Sequence, residues 1–484
     1  MSPSTPGRHC DDGSLDAPPP EPPCAAWPAV LDAPPDGEIF GHRQSAWRER
    51  TRRELGLDPT RPIVATGHQA LLWHPGILAK YMLVDAYARL NDVATANLIV
   101  DQHVGSFGRI DAPIRREDGT LAVQAVDLLD ARPDVPMGLH EAVAPDRPEP
   151  WSPRRRPALE SVEHGLARML EAVGRHADAP NAAWQMARAL SDLMSRWVRR
   201  MPGVTATDLI GTALARRMLE AMVHDPHECI RLYNRAVQSI PEAGISTLLV
   251  HRETVELPVW RIDEQGRRRK AYSHHIESFL DGEMIRLMPR ALFMTALVRL
   301  GMCDIFIHGT GGANYDRTME QWIRQWLGVE TGAAGVCTAT VRLPLPRSDD
   351  DADNPGDAVA RLRRSEHDPV QDPAAGGGGG GSGPSAAKQA WLDAIGRLPR
   401  RSKQRREAFY AMHDWLDQER AAHADRLKAA RQNVARAHRH AAEAQIRDRR
   451  DWPFAMYPED QIDALRGRVE AHAASVAAGR PVSV

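Results

Sequence analysis

The sequence predicts an α/β protein with a parallel-sheet core, an inserted helical subdomain and a C-terminal α-helical coiled coil. Three observations predict it. A strand, Gly-bearing loop, helix pattern occurs twice, near residues 62–88 and 304–327. Between the first helix and the next apolar run there is only a short turn, which implies a βαβ unit and parallel strands. After residue 387 the chain is rich in Ala and charged residues and very poor in Gly, as long solvated helices are.

A chain of 484 residues exceeds what one hydrophobic core usually serves, so two or three structural units are expected. Residues 1–38 are rich in Pro, Asp and small polar residues and bury too little apolar surface to offset their ordering entropy, which predicts a disordered leader. Residues 346–386 run from an acidic stretch (Asp349, Asp350, Asp351, Asp353) into Gly376–Gly381 and predict a disordered acidic, Gly-rich linker. Folded structure is expected over 39–345 and 387–484.

The core elements follow in order. Pro62-Ile63-Val64-Ala65-Thr66 predicts a strand ending in Gly67, and Pro75 opens a helix with Ile77, Tyr81, Val84 and Ala88 on one face. Ala96–Val100 predicts a buried strand, with Asp101 just beyond its C-terminal end. Residues 150–240 show helical periodicity (Leu166, Met169, Leu170, Val173, then Ile210, Ala213, Leu214, Met218), which predicts the inserted subdomain. Strands are predicted again at Thr247–Val250 and Asp304–Ile307. The second runs into His308-Gly309-Thr310-Gly311-Gly312 and a helix striped by Met319, Trp322, Ile323, Trp326 and Leu327. A last strand is predicted over Val336–Leu343. The tail between Arg400 and Arg450 holds 14 Lys and Arg against 7 Asp and Glu, and its sparse apolar residues fit a helical hairpin or antiparallel coiled coil. Asp451-Trp452-Pro453-Phe454 ends it and is expected to dock its aromatics on the core.

Charge and cysteine usage exclude several classes. With 62 Lys and Arg against 64 Asp and Glu, the chain is not a nucleic-acid binder by overall charge. No secretory signal and no apolar run of membrane-spanning length is present, so a cytoplasmic protein without membrane attachment is expected. Five scattered cysteines without a CxxC pair argue against a disulfide framework and a cysteine zinc site. The 20 histidines form no HExxH pattern, so no structural metal is expected.

In an open parallel sheet, ligands bind beyond the carboxyl ends of the strands. Gly67-His68-Gln69, Asp101-Gln102-His103 and His308–Gly312 would all emerge there. Glycines at 309, 311 and 312 allow close backbone approach to a phosphate or carboxylate, and Asn314 or Asp316 is placed to meet a ribose hydroxyl, an amine or a metal-bound water. A tight strand-to-helix turn explains such glycines equally well. His68 and His74 flank Leu71-Leu72-Trp73, where a protonated or donating imidazole suits a phosphate, while capping of the turn is the alternative. Asp101 and His103 suit a general base and a donor, with a cap or turn role for Asp101 as the alternative.

The segment Ala65-Thr66-Gly67-His68-Gln69-Ala70-Leu71-Leu72-Trp73-His74-Pro75-Gly76 resembles the Gly-Gln-Gln loop after the first strand of the cysteine-adding ligases of bacillithiol biosynthesis. Residues 307–316 are similar to that family's late Gly-rich loop. The resemblance implies a Rossmann-like core, a coiled coil supporting a homodimer, and a ligase that forms a C–N bond between a cysteine carboxylate and a glucosamine amine, with ATP or ADP and magnesium. It implies that Gly67, His68 and Gln69 line the cleft for nucleotide or small-molecule substrate, and that residues 309–316, among them Gly309, Gly311, Gly312, Asn314 and Asp316, close it; His74, Gly76 and His308 are further candidate binding residues beside them. His68 replaces the family's first Gln, Lys80 aligns with its helix Lys across a gap, and its acidic run is reduced here to Asp101-Gln102-His103. Two other readings stand beside this one: a nucleotidylyltransferase-like enzyme, and a noncatalytic interaction protein acting through its basic tail.

Overall fold

The computed structural model describes residues 27–105, 107–127, 132–145, 155–251, 254–346, 354–371 and 383–478. Its centre is a five-stranded, wholly parallel sheet of β1 (Ile63–His68), β2 (Ala94–Ile99), β3 (Gly203–Thr205), β4 (Ile305–His308) and β5 (Ala333–Val336). The spatial order is β5-β4-β1-β2-β3. The chain thus builds outward from β1 to one side and then crosses back to lay β4 on its other side. Ile63, Val64, Ala65 and Thr66 of β1 are all buried, as a central strand of a parallel sheet must be.

Asp304 sets the register at the switch. This 3% exposed carboxylate accepts the Ile63 amide at 2.7 Å and Arg52 Nη2 at 2.7 Å, while Arg48 Nε lies 3.7 Å away. It holds the start of β1 against the start of β4, with Ile305 opposite Val64 and Ile307 opposite Thr66. The loops leaving both strands therefore open on one rim.

Helix α1 (Pro75–Asn91) follows β1, with Pro at its first position and a left-handed Asp92 (φ 49°) closing it. Its outer face receives the last helix of the chain, Glu459–Ala477. That helix buries Ile462, Leu465, Val469, Ala473 and Val476, a three-and-four spacing that puts one apolar stripe on α1. Each large aliphatic buried there contributes about 1.5–3 kcal/mol. Just before it, Trp452 and Phe454 are buried, and the Phe454 amide donates to the Trp73 carbonyl at 2.6 Å.

The structure departs from several sequence expectations. Trp27–Asp32, inside the expected leader, is a helix whose Trp27 is 1% exposed and meets Tyr87 edge-on at 5.3 Å. A single large aromatic supplies enough burial to order a Pro-rich segment; residues 1–26 lie outside the described residues. The 150–240 region contains helices Glu160–Arg175, Ala182–Met194, Ala213–His224 and Pro226–Ser239, but it also supplies β3 to the central sheet. Thr247–Val250 is not a strand: Leu249 and Val250 are exposed, and Asn234 holds Leu248 through both its amide and its carbonyl. The strand expected over Val336–Leu343 is instead Ala333–Val336. Residues beyond it run without a ladder into Pro344 and Pro346, which lack the N–H a strand needs.

An antiparallel sheet was missed altogether. Glu256–Ile262 lies between Arg268–Tyr272 and Leu287–Pro289, with a tight turn through Gly266 (φ 77°). A further three-stranded sheet joins Leu121–Asp127, Arg109–Arg116 and Arg155–Pro157, in that spatial order.

All of the parallel sheet belongs to one compact unit, formed by residues up to Ile114, Val123–Leu343 and the chain from Arg450 onward. A second unit comprises Arg115–Ala122 and Pro344–Arg449. In it, the expected linker contains a helix, Pro355–His367, and the tail forms helices Ala386–Gly396, Lys403–Ala422 and Ala424–Asp448. Helix Pro355–His367 packs on Ala424–Asp448, and Glu366 pairs with Arg431 at 2.9 Å. Residues 347–353 and 372–382 of that expected linker lie outside the described residues. Among the described residues no helix is long and apolar enough to cross a membrane.

Trp27→Ala should destabilise the protein by about 3–5 kcal/mol, the usual consequence of emptying a large aromatic site. Urea denaturation measures this, and a change under about 1 kcal/mol would show that the Trp27 helix is not part of the core.

Candidate functional site

Because all five strands are parallel, the segments after β1, β2 and β4 leave the sheet on the same edge. The strand order reverses between β1 and β4, and the edge beyond such a switch is the usual ligand position of an open α/β sheet. The predicted loops occupy that edge in three groups.

The first group surrounds Gly67. Lys80 projects from α1 and donates through Nζ to the Gly67 carbonyl at 2.5 Å. Lys80 is 2% exposed, and among the described residues no carboxylate pairs with it. Burial alone pushes its ammonium down to about 7. His68, at the end of β1, is half-buried; burial first, and then the charge of Lys80, push its imidazole down to about 3. His68 is therefore neutral at physiological pH rather than a protonated partner for phosphate. Its Nδ1 lies 3.2 Å from the Gln69 carbonyl, which can only accept, so Nδ1 carries the proton and Nε2 keeps a free lone pair. The Gln69 carbonyl also accepts Trp73 Nε1 at 2.7 Å, so Gln69 holds the loop through its backbone.

His74 and Gly76 have local explanations. His74 is the N-cap of α1, its Nδ1 accepting the Gly76 amide at 3.1 Å. A side chain at Gly76 would stand 2.5 Å from the Ala339 carbonyl, so the close passage of residues 338–339 requires glycine there.

The second group follows β2. Asp101 is 4% exposed and accepts the Thr207 amide at 3.1 Å, close to the start of the helix Ala206–Ile210. Its backbone carbonyl accepts the Gly138 amide at 2.9 Å. Burial raises its carboxyl to about 6. His103 is half-buried, lowered by burial and by Arg268.

The third group follows β4. His308 Nε2 lies 2.7 Å from Asp316 Oδ2, and Arg299 Nη1 is 3.5 Å from Asp316 Oδ1. Asp316 is thus a buried carboxylate already paired with Arg299 and held against the His308 ring, not a ligand for a ribose. Gly312 lies under the His308 ring, leaving no room for a side chain. Asn314 is turned outward, 3.5 Å from the Glu242 carbonyl. Gly309 and Gly311 differ from these: a methyl added at either would meet nothing within 4 Å, and Gly311 has an ordinary φ of −68°. The fold itself does not demand glycine at these two positions, so their open backbone is free to receive a ligand.

Sequence reasoning missed residues that reach this rim from the antiparallel sheet. Arg268 Nη1 donates to the Gln102 carbonyl at 3.0 Å, and Gln102 Nε2 reaches Met294 Sδ at 3.1 Å. The alternation of Glu256–Ile262 and the turn at Asp263–Gly266 were the signals that would have placed Arg268 on a hairpin. Among the described residues no group of three or more His, Cys, Asp or Glu is arranged to hold a metal ion.

The His68 imidazole binds its proton in the unfolded chain near pH 6.5 but in the folded protein only near pH 3. Stability associated with His68 is thus complete above pH 6.5 and is lost progressively as pH falls toward 3. His68→Gln should reduce the loss of stability between pH 6.5 and 4.5 by on the order of 2 kcal/mol. Denaturant titrations at the two pH values measure it; an acid response identical to wild type would contradict the buried neutral imidazole.

No protein-family model and no curated protein matches the sequence. Among solved structures, the chain is similar to Leishmania major tyrosyl-tRNA synthetase in complex with tyrosinol, at 12% identity and a TM-score of 0.20. The match covers 80% of this chain and 46% of the synthetase chain, so this chain spans less than half of that protein. A likeness this weak fixes neither the fold nor the activity.

Proposed function

We propose that the protein is a nucleotide-dependent ligase with a Rossmann-like core, of the type that adds cysteine in bacillithiol biosynthesis, joining an amino-acid carboxylate to an amine. The observation that carries this reading is Lys80: a buried ammonium without a carboxylate partner, placed against Gly67 at the end of the central strand. A buried unpaired charge is strongly unfavourable unless an anion compensates it. In this reading Lys80 and the main chain of Gly67, Gly309 and Gly311 would hold the phosphates of ATP or ADP, and magnesium would help neutralise their charge.

The chemistry assigned to the rim is limited. Nucleotide activation makes the carboxylate carbon an electrophile, and the attacking amine must then lose a proton. The C–N bond forms as the bond from that carbon to the phosphate-bearing oxygen breaks, and the amine proton goes to the departing phosphate or to solvent. The neutral Nε2 of His68 accepts a hydrogen bond that orients the amine, and the positive field of Lys80 stabilises charge on the leaving oxygen. The open backbone at Gly309 and Gly311 lets the phosphates come within hydrogen-bonding distance of main-chain amides.

Calorimetric titration with ATP and ADP, with and without magnesium, tests the reading. The wild type should bind one of them saturably. Because the Lys80 ammonium titrates near 7 in the free protein and an anion raises it, binding at pH 8 should take up close to one proton. Buffers of different ionisation enthalpy reveal that uptake. Lys80→Met should keep the fold, weaken binding at least tenfold and abolish the uptake. Gly311→Val should weaken binding with an unchanged melting temperature. Absence of binding in folded wild type, or equal binding by Lys80→Met, would refute the proposal.

A further inference from the structure

Where the antiparallel sheet meets the rim, Trp260 stands between two guanidinium groups. Arg290 Cζ lies 3.9 Å from the indole centroid and Arg268 Cζ 4.9 Å from it. The arrangement follows from strand register: Lys270 pairs with Trp260, so Arg268, two residues earlier, projects on the same face. Arg290 follows the strand Leu287–Pro289, whose Met288 pairs with Trp260 from the other side.

The local charge is unbalanced. Arg290 Nη2 reaches Glu256 Oε1 at 2.5 Å and Lys270 Nζ reaches Glu256 Oε2 at 3.2 Å, so two cations share one carboxylate. Glu256 is 1% exposed, and its Oε2 also accepts the Leu249 amide at 3.1 Å. Arg268 has no carboxylate partner among the described residues, and its one hydrogen bond goes to the Gln102 carbonyl. Three cations thus face one anion. Arg290 Nε is buried without a hydrogen-bond partner. Burial, and then the neighbouring Arg290, lower Arg268 from its ordinary value. Stacking on Trp260 explains the position of each guanidinium, since Arg favours aromatic faces. It does not explain two of them on one ring without a second carboxylate, because like charges this close repel. Trp260, Arg268 and Arg290 are half-buried and Lys270 is exposed, so the group is reachable from solvent.

We infer that Arg268 and Arg290, set on Trp260 beside Gln102 and His103, form an oxyanion-binding site distinct from the Lys80 loops, suited to a phosphate monoester or a carboxylate of a second substrate. The fork of Arg268 is free on its Nη2 and Nε side, which gives a bidentate face for two oxygens. His103 borders the same loop and adds a ring nitrogen. The inference rests on the reading above for the word substrate, but the anion site itself does not depend on it.

The test uses the full-length protein and two probes, inorganic phosphate followed by 31P line broadening and acetate followed by saturation-transfer NMR. Arg268→Gln is the informative variant, because Arg268 holds no buried carboxylate whose loss of partner would unfold the protein. In the Lys80→Met background, which removes the phosphate subsite assigned above, the protein should still bind at least one probe, and adding Arg268→Gln should weaken that binding at least tenfold. Preference for phosphate or for acetate tells the two sources apart. ATP binding without binding of either probe would overturn the inference and leave the nucleotide reading intact. Probe binding lost in Lys80→Met but kept in Arg268→Gln would overturn it too, by moving the anion to the Gly67 loop. Probe binding that depends on Arg268 in a protein that ignores ATP would sustain the site and remove the nucleotide reading.

Discussion

The buried carboxylate of Asp304 is the constraint on which the rim depends. It joins the Ile63 amide to Arg52 at the amino end of two neighbouring strands that are 241 residues apart in sequence. Its own backbone carbonyl accepts the Ala333 amide at 2.8 Å, which ties β5 to the same point. Arg52 adds a bond to the Met302 carbonyl at 3.0 Å. Parallel strands have an even ladder that tolerates slippage unless something pins it, and a one-residue slip would turn every side chain to the other face. With the amino ends pinned, the carboxyl ends deliver Gly67 and His308 side by side.

Above that pin, the rim is notable for positive charge that the protein does not neutralise. Asp316 answers His308 and Arg299, and Glu256 answers Arg290 and Lys270. Lys80 and Arg268 have no such partner among the described residues. A desolvated cation is tolerated where a bound anion completes it, or where the group is kept neutral by a lowered affinity for its proton. Lys80 can follow either course near neutral pH; a guanidinium holds its proton too tightly for the second. The two cations thus differ in kind, Lys80 able to exchange a proton and Arg268 permanently charged.

The last helix supplies another dependence. Glu459–Ala477 comes from the far end of the chain, yet it covers α1, the helix that carries Lys80. Arg89 of α1 pairs with Glu470 at 2.8 Å, and Trp73 of the loop accepts the Phe454 amide. The helix that carries Lys80 is thus held in place partly by residues more than 350 positions away.

The sequence by itself determined the central strands β1, β2 and β4, the helix after β1 and the glycine-bearing loop after β4. Apolar runs bounded by Pro and Gly, with a switch from strand to helix periodicity, are local signals that survive without tertiary information. Tertiary structure decided the rest. Only three residues, Gly203–Thr205, make β3, too few for any period, and they become a strand because Ile99 and its neighbours offer an open edge. Trp27 is ordered because it packs edge-on against Tyr87 and is buried there. Among the rim residues, sequence marked Gly309 and Gly311 no differently from Gly76 and Gly312; only the neighbours of each show which glycines the fold needs and which it leaves open. The isolation of Lys80 and Arg268 was equally invisible, because a missing partner is a property of the space around a charge and not of the chain that carries it.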